Sequence, residues 1–400
     1  MEWLPGVFPL IGVVQHYSWG GFDYIPELLN RENKEHQPYA EYWLGAHPNH
    51  PAFLEDGQRL SVIIDRDPEK ILGKKHATKF GSLPYLLKVL DVRQMLSIQV
   101  HPDKASAEKA FEAENKKGIP VNAAHRNYKD RNHKPELMVA LGDFWLLHGF
   151  KNENALESIL DLTPELRFLT PSFKSGGYQK LYEQVMQMPQ PEVNQHLQPL
   201  VDRVVPLYEK NALQKDREDF WAARAALNFC RDNNWDRGIF SIYFFNLLHL
   251  KKGEGIFQPA GMPHAYLEGQ NVEVMANSDN VLRAGLTDKH IDVNELMKHV
   301  RFEATEPRVL GAQSGKTHKV FNSPAEEFEL HQYLLAKEQR QFIKADAPEI
   351  LLLIEGAVEM GGKQLSKGTA VFLLPGHGVE ILVRETASLF RVTVPDGVKN

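Results

Sequence analysis

The sequence has a single cysteine, Cys230, among 400 residues. That excludes an intramolecular disulfide and every zinc motif built from several cysteines. It also fits a reducing compartment, so a cytoplasmic location is expected. Long apolar runs are missing too: the longest, such as "ILLLIEG" at 350–356, fall far short of the ~20 residues that cross a bilayer. The opening "MEWLPGVFPLIGVVQHYSWGG" lacks a basic region and carries Glu2, which reads against a secretory signal, and no membrane partner is expected. Nor is positive charge in excess. Lys and Arg number 46 against 52 Asp and Glu, a formal charge of −6, so no nucleic-acid partner is expected. An anionic ligand must then be met by a local cluster of lysine and arginine, because the Gly-rich phosphate loop of the P-loop type is absent as well.

What is present is an ordinary globular composition, 42% hydrophobic and 24% charged. Four hundred residues exceed one small core, so two or three domains are expected. Short β-type runs bounded by Gly and Pro dominate both ends, among them "LPYLLKVLDV", "ELMVAL", "QNVEVMA" and "GTAVFLLPG". Between about 151 and 236 apolar residues fall instead at helical spacing, as in "GYQKLYEQVMQM" and "DREDFWAARAALNFCRDNN". A smaller helix is expected over "DKASAEKAFEAENKKG", with Asp103 as N-cap and Gly118 just past its end. "KGEGIFQPAG" (252–261) aligns without gaps on "KGTAVFLLPG" (367–376), which suggests two related β-sandwich units. His264 in the first corresponds to Val379 in the second, so only the first is expected to bind metal through that position.

In "LSIQVHPDKAS" (96–106) Gln99 and His101 are two apart and share one face of a strand. Alone, such a pair is most often an ordinary polar strand pair. From Gly253 the chain reads G-x5-P-x-G-x2-H, ending on His264. This spacing resembles the second motif of the cupin superfamily, a metal-binding jelly roll, and Gln99-x-His101 is similar to the first motif with its leading histidine replaced. Glu136, in "NHKPELMVAL", supplies a carboxylate. Two imidazoles, one carboxylate and one amide suit zinc, with other divalent metals possible, and leave the ion a formal +1 that preserves Lewis acidity.

Together "YSWGG", "AEYWLGAHP", "GSLPYLLKVLD", "LSIQVHPDK", "RNYKDRNHKPEL" and "PHAYLEGQNVEVMANSDNVLRAGLT" resemble the type I phosphomannose isomerase family, in motif order from about residue 10 to 300. The resemblance implies a zinc-dependent aldose–ketose isomerase acting on a sugar phosphate, one Zn2+ per chain, held by Gln99, His101, Glu136 and His264. It implies a mainly β fold with an α insertion. Residues 1–150 with 237–305 would form a cupin-type catalytic β-sandwich, 151–236 a helical domain, and 306–400 a C-terminal cupin-like β-domain without metal ligands. Arg131 and His125 depart from the family pattern, both in the loop before Glu136.

Moving a proton between C2 and C1 of a sugar through a cis-enediolate calls for an electrophile and a proton carrier. Candidate carriers are Lys134, His133, Glu273 and Arg283, with Arg283 also a candidate partner for the Glu273 carboxylate. The family resemblance marks Arg283 as an active-site residue. Lys88 interrupts an apolar strand and is read as functional rather than as an edge-strand solubility residue. Trp19, Glu41, Ser97, Tyr266 and Asp279 are similar to substrate-pocket residues of the family. A cupin metal oxygenase and a non-catalytic sugar-phosphate binding protein are the competing readings, and a monomer is expected.

Overall fold

The run Tyr85–Val92 is apolar except for Lys88 and Asp91, and it lies in the middle of an antiparallel sheet. Across that sheet the strands run Gly255–Gln258, Glu136–Ala140, His264–Ala276, Tyr85–Val92, Glu41–Gly45 and Val13–Gln15. The computed structural model describes residues 4–311 and 317–395. Register fixes which residues share a face: Lys88 stands opposite Glu273 on one neighbour and Trp43 on the other, and Glu136 stands opposite Met275. Alternation sends Leu87, Val89, Val272, Val274, Leu137 and Val139 to the reverse face. One face therefore carries Lys88, Glu273 and Glu136, and the other is aliphatic apart from the hydrogen-bonded pair Gln270–Asp91 at its end.

The apolar face is covered by a second antiparallel sheet from the C-terminal part of the chain. Its Ile350, Leu352, Phe372 and Phe390 share one core with the six aliphatic residues just named. Burial of each such side chain contributes about 2 kcal/mol relative to exposure. The N-terminal strand Val7–Ile11 joins this sheet, pairing with Ala370–Leu373 and with Phe53–Leu54. The repeat read in the sequence is visible in the backbone: Gly253 and Gly368 have φ of +80° and +84°, and Gly261 and Gly376 both +80°. Val379, the counterpart of His264, is buried among Leu351, Leu373 and Ile381.

The long strand His264–Ala276 belongs to both walls of the first sandwich. Its register slips between Tyr266 and Glu268, and Gly269 adopts φ +127°. A Cβ there would sit 2.6 Å from the Asp143 carbonyl oxygen, so the bend requires glycine. Before the bend the strand pairs with Gln99 and with Trp145–His148; after it, with Tyr85–Val92 and Glu136–Ala140. His264 and Glu273 thus lie on opposite walls of one sandwich.

Helices Glu153–Leu162, Thr170–Gln187, Gln190–Glu209 and Glu218–Phe229 pack through Leu156, Leu181, Leu200 and Trp221 onto Leu147, Phe150 and Leu267 of the outer wall. The helix Lys104–Lys116 has the caps expected of it: the Asp103 side chain accepts from Ser106 N at 2.8 Å, and Gly118 has φ +70°. Among the described residues no helix is long and apolar enough to cross a membrane.

Candidate metal centre and active-site cleft

His101 and His264 are oriented by backbone carbonyls. Each offers Nδ1 to an oxygen that can only accept, Asn280 O for His101 and Met262 O for His264, both at 2.9 Å. Each ring therefore carries its proton on Nδ1 and turns a bare Nε2 lone pair inward. The two lone pairs meet the Glu136 carboxylate, whose Oε1 lies 3.4 Å from His101 Nε2 and whose Oε2 lies 3.2 Å from His264 Nε2. Burial pushes the His101 pKa down to about 4, so a second ring proton is not supplied. His101 Nε2 is buried and has no hydrogen-bond partner among the described residues.

His101, Glu136 and His264 thus each offer one ligand atom to a common point, and these three atoms lie within 4.8 Å of one another. Such a set suits a divalent cation, and the chemistry of the ligand atoms fits zinc. Lys134 Nζ sits 3.1 Å from Glu136 Oε1 and, with the imidazoles, holds that carboxyl well below its usual range despite its burial. Gln99 stands opposite His264 in one direction and Arg283 in the other, and its side chain lines the same small cavity.

On the facing wall Lys88 Nζ lies 3.2 Å from Glu41 and 3.5 Å from Glu273. It sits on a central strand, so the edge-strand explanation fails. Burial works against its charge, but the two carboxylates outweigh burial and raise its pKa. Glu41 also accepts from Trp43 Nε1 at 2.6 Å, and Glu273 accepts from the Tyr266 hydroxyl at 2.8 Å. The partner of Glu273 is therefore Lys88, not Arg283, which interacts instead with the charge of Asp288. Burial, then repulsion from Glu136, pushes the Glu273 pKa up to about 7, against the pull of Lys88 and Lys134.

This buried cavity shares Glu41, Lys88, Ser97, Gln99 and Lys134 with a cleft of about 500 Å3. Trp19, Asp279 and Arg283 line the cleft, and Tyr266 lines the cavity. Asp279 pairs with His47 at 3.2 Å. His133 faces elsewhere, its Nε2 2.6 Å from Glu327, so it leaves the set of proton carriers. A larger cavity of about 700 Å3 lies by Val7–Pro9 and the helix Leu60–Arg66, and it holds none of these groups.

The sequence reading missed Arg231, Asp288 and Lys289, which line the cleft with Arg283; Asp288 and Lys289 lie within electrostatic reach of it. Among the described residues neither Arg283 nor Lys289 makes an ion pair, and the Arg283 charge, added to burial, depresses the Lys289 pKa. The sequence "LRAGLTDKH" carries the charges, but no spacing rule marks the run as one end of a cleft.

A β-sandwich with an inward-facing His–Glu–His cluster and a charged cleft above it defines a metal-binding cupin-type protein. Residues 7–153 match the family described as phosphomannose isomerase type I, catalytic domain. The chain is 36% identical over 390 residues to mannose-6-phosphate isomerase of Escherichia coli, covering 94% of this chain and 95% of that one. It is 32% identical over 425 residues to the Homo sapiens protein, covering 96% and 97%. The Salmonella typhimurium mannose 6-phosphate isomerase solved with fructose 6-phosphate and zinc superimposes with a TM-score of 0.86 at 33% identity, covering 97% of this chain and 99% of that one. This chain belongs to the mannose-6-phosphate isomerase family.

Proposed function

We infer that this chain is a metal-dependent isomerase interconverting mannose 6-phosphate and fructose 6-phosphate. The observation that carries the reading is the acceptor-only cluster of His101, Glu136 and His264 facing a carboxyl of near-neutral pKa, Glu273, across one buried cavity. Gln99, His101, Glu136 and His264 would hold the ion. When bound, zinc supplies a Lewis acid that favours negative charge on the sugar oxygens.

The remaining work falls to the chain's own side chains. Glu273 accepts the proton leaving C2 and returns it at C1, while the hydroxyl proton passes from O2 to O1 of the cis-enediol. A pKa of about 7 lets that carboxyl take and give a proton at neutral pH. Lys88 and the Tyr266 hydroxyl orient it. Lys134 keeps Glu136 ionised and stands beside the sugar oxygens as a donor. Trp19, Glu41, Ser97 and Asp279 shape the cleft around the sugar chain.

Arg283 and Lys289, cations without ion-pair partners among the described residues, suit a phosphate dianion at the far end. The single cysteine supports a cytoplasmic location. A coupled assay of fructose 6-phosphate formed from mannose 6-phosphate, run on metal-loaded and on chelated protein, tests the reading. Turnover lost on chelation and restored by zinc is expected; no turnover in the metal-loaded protein overturns it.

A further inference from the structure

Asp236 stands outside the chemistry described so far, in the segment leading out of the helices. Its carboxylate accepts three backbone N–H groups: Oδ1 takes Gly238 N at 2.7 Å and Leu286 N at 2.8 Å, and Oδ2 takes Thr287 N at 3.1 Å. Two of these donors belong to the turn that directly follows Arg283 and leads into Asp288 and Lys289. The turn is not one the chain adopts readily. Leu286 has φ +53° and Gly285 φ +132°, and left-handed backbone is unfavourable for a leucine. A Cβ on Gly285 would come within 2.5 Å of Gly238 Cα, so the turn is pressed directly against the start of the helix Gly238–Phe244.

The opposite side of the same turn is fastened to the metal-bearing wall. Ile98 N donates to Gly285 O at 3.0 Å, Ala284 N donates to Ile98 O at 2.9 Å, and Arg283 stands opposite Gln99. The turn is thus held between the strand of Gln99 and one carboxylate supplied from the helical part of the chain. Thr287 in turn positions the next step, its Oγ1 accepting from Lys289 N at 3.1 Å.

We propose that Asp236 is a positioning residue for phosphate recognition: by clamping the Gly285–Leu286–Thr287 turn it aims Arg283 and Lys289 into the far end of the cleft. The helical insertion thereby sets affinity for the phosphorylated end of the substrate without touching the reacting carbons. The proposal rests on the reading of that end as the phosphate pole. Misplacing a charged clamp by an ångström costs substrate binding, while His101 and His264 keep their own backbone-carbonyl anchors and Glu273 stays on the opposite wall.

Asp236→Asn is a discriminating variant. Its amide oxygen can still accept from Gly238 and Leu286, but an NH2 replaces the acceptor of Thr287, leaving two donors face to face. In the metal-loaded enzyme KM for mannose 6-phosphate and the inhibition constant of inorganic phosphate should both rise at least tenfold, with kcat within threefold of wild type. Arg283→Gln should raise both constants as well. If Arg283→Gln raises them and a folded Asp236→Asn leaves them within twofold, the positioning role is overturned while the phosphate reading stands. If Arg283→Gln leaves them unchanged, the phosphate reading itself falls. A loss confined to kcat in Asp236→Asn also overturns the proposal. Should Asp236→Asn not fold, the wild-type holoenzyme decides: saturating inorganic phosphate should slow hydrogen exchange at the Leu286 and Thr287 amides at least fivefold, and unchanged exchange overturns it.

Discussion

The Lys88 ammonium lies 3.2 Å from the Glu41 carboxylate, both side chains closed off from solvent on the inner face of a central strand. With Glu273 3.5 Å away, one cation serves two buried carboxylates. Lys88→Met removes that cation and leaves the carboxylates to repel each other, so one of them takes up a proton at neutral pH. The variant should fold with stability lowered by about 3 kcal/mol, read from urea midpoints of the metal-loaded protein. A Glu273 held protonated cannot accept from C2, and kcat should fall on the order of a hundredfold. Wild-type kcat in Lys88→Met would remove Lys88 from the machinery.

In the proposed donor set Gln99 contributes a neutral amide. Gln99→Glu would add a second carboxylate and cancel the formal +1 left on a divalent ion by Glu136 alone. Zinc should leave more slowly to a chelator, by about tenfold, while kcat falls at least tenfold because the ion withdraws less charge from the sugar. Faster zinc loss in Gln99→Glu would place the side chain outside the donor set.

The donor set is held in place by the protein itself. Asn280 O, Met262 O and Lys134 each fix one ligand through contacts that do not involve the ion. Chelation should therefore abolish turnover while far-ultraviolet circular dichroism stays unchanged. Restoring zinc at a hundredfold over its Kd should stabilise the fold by about 3 kcal/mol. A chelated protein that unfolds would show that the ion, not the two carbonyls and Lys134, organises the cluster.

The cluster of His101, Glu136 and His264, and Gln99 beside it, was legible because these residues sit in short local patterns. Gln99 and His101 are two apart, His264 closes a glycine-proline turn, and Glu136 opens an apolar strand. The repeat at 252–261 and 367–376 was legible for the same reason, since its glycines mark positive-φ positions. What escaped was set by long-range pairing. That Val7–Ile11 would complete the last sheet depends on Ala370–Leu373, more than 350 residues away, and no local composition signals it. The partner of Glu273 was likewise fixed by strand register, which placed Lys88 directly opposite it and left Arg283 at the far end of the cleft. Asp236 carries no motif, and its role is apparent only from the three backbone donors it gathers.

A second buried histidine gives the fold a pH dependence of its own. His148, opposite His264 in register, has Nδ1 2.8 Å from Gln258 Oε1. Burial pushes its pKa down from 6.5 to about 4, more than the Gln258 bond raises it, and the nearby His264 lowers it further. Between pH 6.5 and 4 the unfolded chain binds a proton at this residue and the native protein does not. The contribution is therefore complete above pH 6.5 and is lost as pH falls toward 4, by up to about 3 kcal/mol. A bound cation beside His264 would add to the depression, so the sign holds with or without metal. His148→Gln removes the titration. Urea unfolding of wild type and variant, both chelated so that metal loss does not intrude, should show a constant difference above pH 7. As pH falls to 4 the wild type should lose about 3 kcal/mol relative to the variant. His101 contributes equally to both proteins and cancels. Parallel stability curves across this range would mean that His148 is protonated in the folded state and that its ring reaches solvent.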